Sequence, residues 1–222
     1  ELDQVDLATL CTRKEEQEIH LNSKLAQIVI GVRRSGKSTL CQKVLLQNKI
    51  HFAYVNFDDE RLRCVSADDL DTILQELYVI YGAFTHLFLD EVQNIPHWDK
   101  LVRRLTDAKY RVYVTGSNAK MLSKEVATTL GGRFFIYDAY PYSFKEYLAA
   151  QQVELREHWE YDTIQRSEVK RHLNEYFYYG GLPEILSFKN KRAMLSSLYQ
   201  KIYLGDICAR NNIKNDRVLN IL

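Results

Sequence analysis

Much is scarce in this chain. Its four cysteines, Cys11, Cys41, Cys64 and Cys208, stand far apart with no C-x-x-C pair. That argues against a disulfide framework or zinc knuckle and fits free thiols in a reducing cytoplasm. The six histidines show no ligand spacing, so zinc is not expected. No run of 18 apolar residues occurs, which excludes a membrane-spanning helix. The N-terminus lacks a basic stretch followed by an apolar one, so it does not read as a signal peptide. Its first residue is Glu1 and not Met, which suggests an incomplete chain. Charge is balanced at a net +1; nothing demands a strongly electrostatic partner, although a local basic patch stays open. Only three prolines occur, Pro96, Pro141 and Pro183, each beside an expected element boundary. No internal repeat or low-complexity segment is visible.

What is present is ordinary in bulk and specific in detail. The 222 residues are 46% hydrophobic and 27% charged, enough for one sizeable core plus a small appended domain. Residues 1–24 are charged and mildly periodic, which predicts a leading helix. From Lys24 the pattern alternates short β-branched runs with helical periods. Strands are expected at Gln27–Ile30, Phe52–Phe57, His86–Leu89, Arg111–Thr115 and Phe134–Tyr137. Helices are expected at 38–47, 67–80, 98–108 and 119–130. In the third of these, Trp98, Leu101, Val102 and Leu105 share one face while Arg103 and Arg104 turn away. Such alternation predicts an α/β fold, a parallel sheet of about five strands between helices. Beyond Pro141 no strand follows. Ser143-Phe144-Lys145-Glu146 is a capping box that opens a helix, and further helices are divided at Gly180-Gly181 and Gly205.

Gly31-Val32-Arg33-Arg34-Ser35-Gly36-Lys37-Ser38, followed by Thr39, is a complete G-x-x-x-x-G-K-[ST] phosphate loop. The glycines let consecutive backbone N–H groups curl around phosphates. Lys37 can reach the β- and γ-phosphates, and Ser38 can offer its hydroxyl to Mg²⁺. The loop sits between an apolar strand and a helix, as a phosphate cradle requires. A second motif is Leu87-Phe88-Leu89-Asp90-Glu91, an apolar strand ending in two carboxylates, where ligands of open α/β sheets bind. Asp90 is the candidate partner, through water, of the metal at Ser38. Glu91 is the candidate general base for an attacking water. Small-molecule kinases and switch GTPases generally place no carboxylate base there, whereas hydrolytic ATPases of the additional-strand type do. A solvated acidic turn is the plainer alternative.

Two further motifs read less sharply. Val112-Tyr113-Val114-Thr115-Gly116-Ser117-Asn118 looks like a strand wedged between those of the phosphate loop and of Asp90. Asn118 could hold the lytic water or touch the γ-phosphate, with Ser117 as second choice, or either could simply cap the next helix. Arg133, after Gly131-Gly132, could act as an arginine finger, within the chain or across a subunit interface; a surface ion pair is the structural alternative. Asp58-Asp59-Glu60-Arg61 is best read as an acidic solvated loop, and Tyr176-Phe177-Tyr178-Tyr179 as aromatic packing at a helix end.

Together these stretches closely resemble one group. The segments that carry the likeness are Ile30–Thr39, Leu89-Asp90-Glu91-Val92-Gln93-Asn94-Ile95-Pro96-His97-Trp98, Thr115-Gly116-Ser117-Asn118 and Gly132-Arg133. The group is the prokaryotic AAA-plus-like ATPases that usually carry a poorly understood C-terminal domain. Pro141–Tyr147, Gly180-Gly181-Leu182-Pro183-Glu184 and Leu204–Arg210 also look like that family. The resemblance implies ATP and Mg²⁺ as ligands. It places Gly31 to Thr39, Asp90 and Glu91 at the nucleotide and metal site, Asn118 at the sensor position and Arg133 at the finger position. Covering about residues 25–222, it joins the pattern reading to give an N-terminal helical extension at 1–24, an ATPase core at 25–140 and a helical lid at 141–222, the last leading by the resemblance towards a winged helix. The expected function is Mg²⁺-dependent ATP hydrolysis coupled to conformational change. A slow nucleotide-dependent interaction switch and a nucleic-acid remodelling ATPase are the alternatives. Self-association through Arg133, or a protein or DNA partner, is compatible with either reading.

Overall fold

A computed structural model of the chain describes residues 10–117 and 128–202. Its strands are β1 (Ala26–Ile30), β2 (Phe52–Asn56), β3 (His86–Asp90), β4 (Arg111–Gly116) and β5 (Phe134–Asp138). The helices between them are α1 (Lys37–Gln47), α2 (Leu70–Tyr81) and α3 (Trp98–Asp107). After β5 come α4 (Phe144–Ala150), α5 (Thr163–Tyr179) and α6 (Lys191–Gln200). The strands form one sheet in the order β2-β3-β4-β1-β5, and every pairing is parallel. β4 therefore lies between the phosphate-loop strand and the Asp90 strand, as its sequence suggests. The fold is the expected α/β architecture, and the strand bounds differ from the sequence reading by a residue or so.

Side-chain alternation decides which helix covers which face. On one face, Ile28, Leu87, Leu89, Val112 and Val114 pack against Leu70 and Leu77 of α2 and against Trp98, Leu101, Val102 and Leu105 of α3. On the other, Val29, Phe88, Tyr113 and Tyr137 meet Leu40, Val44 and Leu45 of α1. Neighbouring residues of one strand thus serve different cores, which explains why the strands read as unbroken apolar runs. All five residues of β1 are buried.

A third, smaller cluster joins Tyr142, Tyr147 and Leu148 to Cys11 from the N-terminal segment, with Tyr176 packed against it. The Ser143 capping box forms: its N–H donates to Glu146 Oε2 at 2.8 Å, and its Oγ accepts from the Glu146 N–H at 3.3 Å. α5 ends at Gly180, which adopts a φ of 74°. Next to it, the Tyr142 N–H donates to Gly181 O at 2.7 Å. A Cβ on Gly181 would stand 2.1 Å from Tyr142 O, so glycine is required there.

Three expectations need correction. Residues 10–24 carry no leading helix, only a three-ten turn at Lys14–Gln17; residues 1–9 lie outside the described part. Two charged side chains of this strap, Arg13 and Glu16, are engaged with distant partners. Lys43 Nζ, buried on α1, donates to Leu10 O, to Cys11 O and to Glu16 Oε1 at 2.8 Å. The second correction concerns 67–80, which opens as a three-ten turn at Ala67–Asp69 before α2 begins. The third is the aromatic run after Glu175. Tyr176 packs inward and donates to Tyr142 O at 2.7 Å, but Phe177 and Tyr178 are 84% and 78% exposed. Of the helix expected at 119–130, only the last turn falls within the described residues.

Leu105 sits at the centre of the α3 face and is 1% exposed. Leu105→Ala should cost about 2–5 kcal/mol by leaving a cavity. Urea unfolding checks this as a lower midpoint at unchanged slope.

Candidate nucleotide site

The phosphate loop leaves β1 at Ile30 and enters α1 at Lys37. Two of its residues take left-handed backbone, Arg34 at a φ of 65° and Gly36 at 86°. Gly31 is constrained by proximity: a Cβ there would lie 2.2 Å from Ala139 O and 2.8 Å from Ser35 Oγ. That approach follows from sheet order, because β5 pairs with β1 and the Ala139 N–H donates to Ile30 O at 2.7 Å. Lys37 is 4% exposed, and its Nζ donates to Val32 O at 3.1 Å and stands 3.9 Å from Glu91 Oε1. Burial lowers the Lys37 pKa, while the Glu91 and Asp90 carboxylates oppose that shift.

Asp90 ends β3 and is 3% exposed. Its Oδ1 accepts from Ser38 Oγ at 2.8 Å and from Thr115 Oγ1, and its Oδ2 accepts from the Tyr54 hydroxyl at 3.1 Å. Burial raises its pKa, and the three hydroxyl donors pull it back. Glu91 follows with a φ of 50°, a conformation uncommon for a residue with a side chain. Its backbone N–H donates to Thr115 Oγ1 at 3.1 Å. Glu91 Oε2 accepts from Gln93 Nε2 at 2.5 Å and from Ser117 Oγ at 3.2 Å.

The loop therefore brings Lys37, Ser38, Asp90 and Glu91 together at the C-terminal edge of the sheet. The hydroxyl and carboxylate of Ser38 and Asp90 are a hard oxygen pair already in hydrogen-bond contact, which suits Mg²⁺. Asn118 lies outside the described residues. Arg133 is placed elsewhere. It precedes β5, level with the start of β1, and its backbone O accepts from the Ala26 N–H at 3.1 Å. A five-residue strand separates that edge from the phosphate loop, roughly 15 Å. There Arg133 Nη1 pairs with Asp107 Oδ1 at 2.5 Å on the surface. Within one chain it does not meet the site.

A cavity of about 670 Å³ opens beside the first turn of α1, within the range of small-molecule sites. Leu10, Cys11, Pro183 and Leu186 contribute apolar lining to it, alongside Lys37 and Ser38. Arg13 crosses its wall; it is 5% exposed, its Nη1 donates to Ser35 O at 2.8 Å and its Nη2 to Tyr140 O. Arg34 Nη1 reaches out of the loop to Glu184 Oε1 at 2.6 Å. Tyr54, Gln93 and Arg13 were not apparent from the sequence. For Gln93 the only available signal was its position just past the end of β3; for Tyr54, in the middle of β2, and for Arg13 there was none.

A parallel sheet with a phosphate loop after one strand, and an acidic pair after the next strand but one, defines a P-loop nucleotide-binding fold of ATPase type. The family model described as an AAA domain matches residues 23–148, more than half of the chain, and the chain belongs to that family. An uncharacterized protein of Methanocaldococcus jannaschii is 35% identical over 92% of this chain and 47% of its own length. An uncharacterized protein of Haemophilus influenzae is 33% identical over 87% of this chain and 48% of its own length. The chain thus spans about half the length of the curated relatives it matches. A solved Walker-type ATPase of Pyrococcus abyssi is similar over 80% of this chain and 65% of that one, at 16% identity and a TM-score of 0.49. Among the described residues no helix is long and apolar enough to cross a membrane.

Placing a methyl group at position 31 tests the loop geometry. Gly31→Ala should lose about 1–3 kcal/mol to overpacking, read by thermal or urea unfolding. An unchanged midpoint would show that the loop and Ala139 do not pass so closely.

Proposed function

We propose that the chain binds ATP in this cavity and hydrolyses it, using residues 25–140 as the nucleotide core and the helices beyond 141 as a lid. The observation that carries the reading is the joint placement of Ser38 on Asp90, at 2.8 Å, and of Lys37 beside Glu91, at 3.9 Å. The phosphates would lie in the curl of Gly31 to Thr39, against backbone N–H groups and the positive end of α1. The apolar lining at Leu10, Pro183 and Leu186 suits the faces of a base. Mg²⁺, held by Ser38 and Asp90, would neutralise charge on the phosphate oxygens.

Glu91 is the base. As a water oxygen bonds to the γ-phosphorus, the bond from that phosphorus to the bridging oxygen breaks. ADP leaves with the electron pair, and the water's proton passes to the Glu91 carboxylate. Lys37 supplies positive charge to the β/γ oxygens as that bond breaks. The Arg34–Glu184 pair links the loop to the segment after α5 and gives the lid a way to feel phosphate. Phosphate oxygens compete with Glu184 for the same guanidinium. A finger role for Arg133 belongs to a second copy of the chain, because its own loop is out of reach. A rate per chain that climbs with protein concentration supports that placement, and a flat rate removes it.

Lys37→Ala should abolish tight ATP binding. Glu91→Gln should bind ATP as the parent does but cleave it about 10²–10⁴-fold more slowly. Calorimetry with ATP and Mg²⁺, paired with phosphate release, separates the two. A Glu91→Gln variant that turns over at the parent rate would remove Glu91 as the base.

A further inference from the structure

We infer that Gln93 is the positioning residue of the catalytic glutamate, an inference that rests on the proposed hydrolysis. Ionised Glu91 only accepts hydrogen bonds, so the Gln93 amide must present its NH₂ to Oε2, as it does at 2.5 Å. Ser117 Oγ reaches the same oxygen at 3.2 Å and also lies 3.4 Å from the same amide nitrogen. One oxygen of Glu91 is therefore held by two side chains. The other, Oε1, is left on the side of the phosphate loop, 3.9 Å from Lys37 Nζ.

The backbone agrees with this division of labour. Glu91 sits at a φ of 50° and caps the three-ten turn Val92–Asn94, which brings Gln93 back alongside it. The Glu91 N–H is tied to Thr115 Oγ1, and Ser117 lies two residues beyond Thr115 after β4. Main chain and one carboxylate oxygen are both anchored to the strand between Asp90 and the phosphate loop. What faces the phosphate loop, beside Lys37, is a single oxygen with a fixed direction.

A merely structural role accounts for Gln93 less well. Its carbonyl Oε1 is buried and has no hydrogen-bond partner among the described residues. A side chain retained for stability would satisfy both ends of its amide, since an orphaned buried acceptor costs stability. Among the described residues Gln93 leaves one end unmet, and its shortest bond goes to Glu91. Holding a general base within a fraction of an ångström of its productive direction is worth large factors in rate.

The test is Gln93→Met, which keeps length and apolar bulk but cannot donate. Turnover should fall about 10- to 100-fold, while KM and the affinity for a fluorescent ATP analogue stay within about twofold. Gln93→Glu, which sets a second carboxylate against the first, should lose at least as much. The decisive readout is the double variant. In a Glu91→Gln background, measured in single-turnover mode, Gln93→Met should add little further loss, because Gln93 acts through the group already removed. A Gln93→Met variant that turns over like the parent, or one that costs the same factor with and without Glu91, overturns the inference. If the unsubstituted chain itself releases no phosphate, the hydrolytic reading fails first and takes this inference with it.

Discussion

The site depends on a single buried carboxylate. Asp90 is nearly inaccessible, and leaving a carboxylate there without partners would cost several kcal/mol. Three hydroxyls satisfy it, one from each of three elements: Tyr54 on β2, Thr115 on β4 and Ser38 on the first turn of α1. Parallel register makes this possible. Asn56 pairs with Asp90 across one edge, and Leu89 pairs with Val114 across the other, so Thr115 arrives level with Asp90. A slip of one residue in either ladder would turn these side chains to the opposite face. The polar knot therefore locks the same register that the apolar faces select.

Around that centre the phosphate loop is held by two contacts of unequal strength. Arg13 is buried and bridges a loop carbonyl to Tyr140 O, tying the loop to the exit of β5. Losing it would strand the buried Ser35 carbonyl, a cost of about 1–3 kcal/mol, and release the partly buried Tyr140 carbonyl. The Arg34–Glu184 pair is partly exposed, with side chains 32% and 43% accessible, and pairs of that kind contribute about 0–1 kcal/mol. Magnitude assigns them different parts. The first fixes the loop's shape, and the second can be exchanged cheaply when another anion approaches. An N-terminal strap and a C-terminal helical segment, distant in sequence, thus meet on one loop.

Legibility in the sequence followed the range of the interactions. β1, β3 and β4 could be read because buried parallel strands need unbroken runs of apolar residues, and these end sharply at Gly31, Asp90 and Gly116. α3 could be read because Trp98, Leu101, Val102 and Leu105 repeat at the helical period. The strap at 10–24 misled for the opposite reason. Its charges repeat as though on a helix, yet Arg13 and Glu16 are used by Ser35 and Lys43. Phe177 and Tyr178 look like packing residues in the sequence, but the face they occupy has no cover among the described residues. Arg133 carries the right local context for a finger, yet lies at the far edge of the sheet from its own loop.

From sequence alone came the loop, the acidic pair and the alternation of strand and helix. These are local: backbone torsions, caps and burial period are set by residues within a turn or a strand of one another. Tertiary structure alone decided that Thr115, Tyr54 and Ser38 converge on Asp90, that Ser117 meets Glu91, and that Arg13 and Glu184 both close on the loop. Those contacts span up to 150 positions and follow from strand order and register, which no window of neighbouring residues encodes.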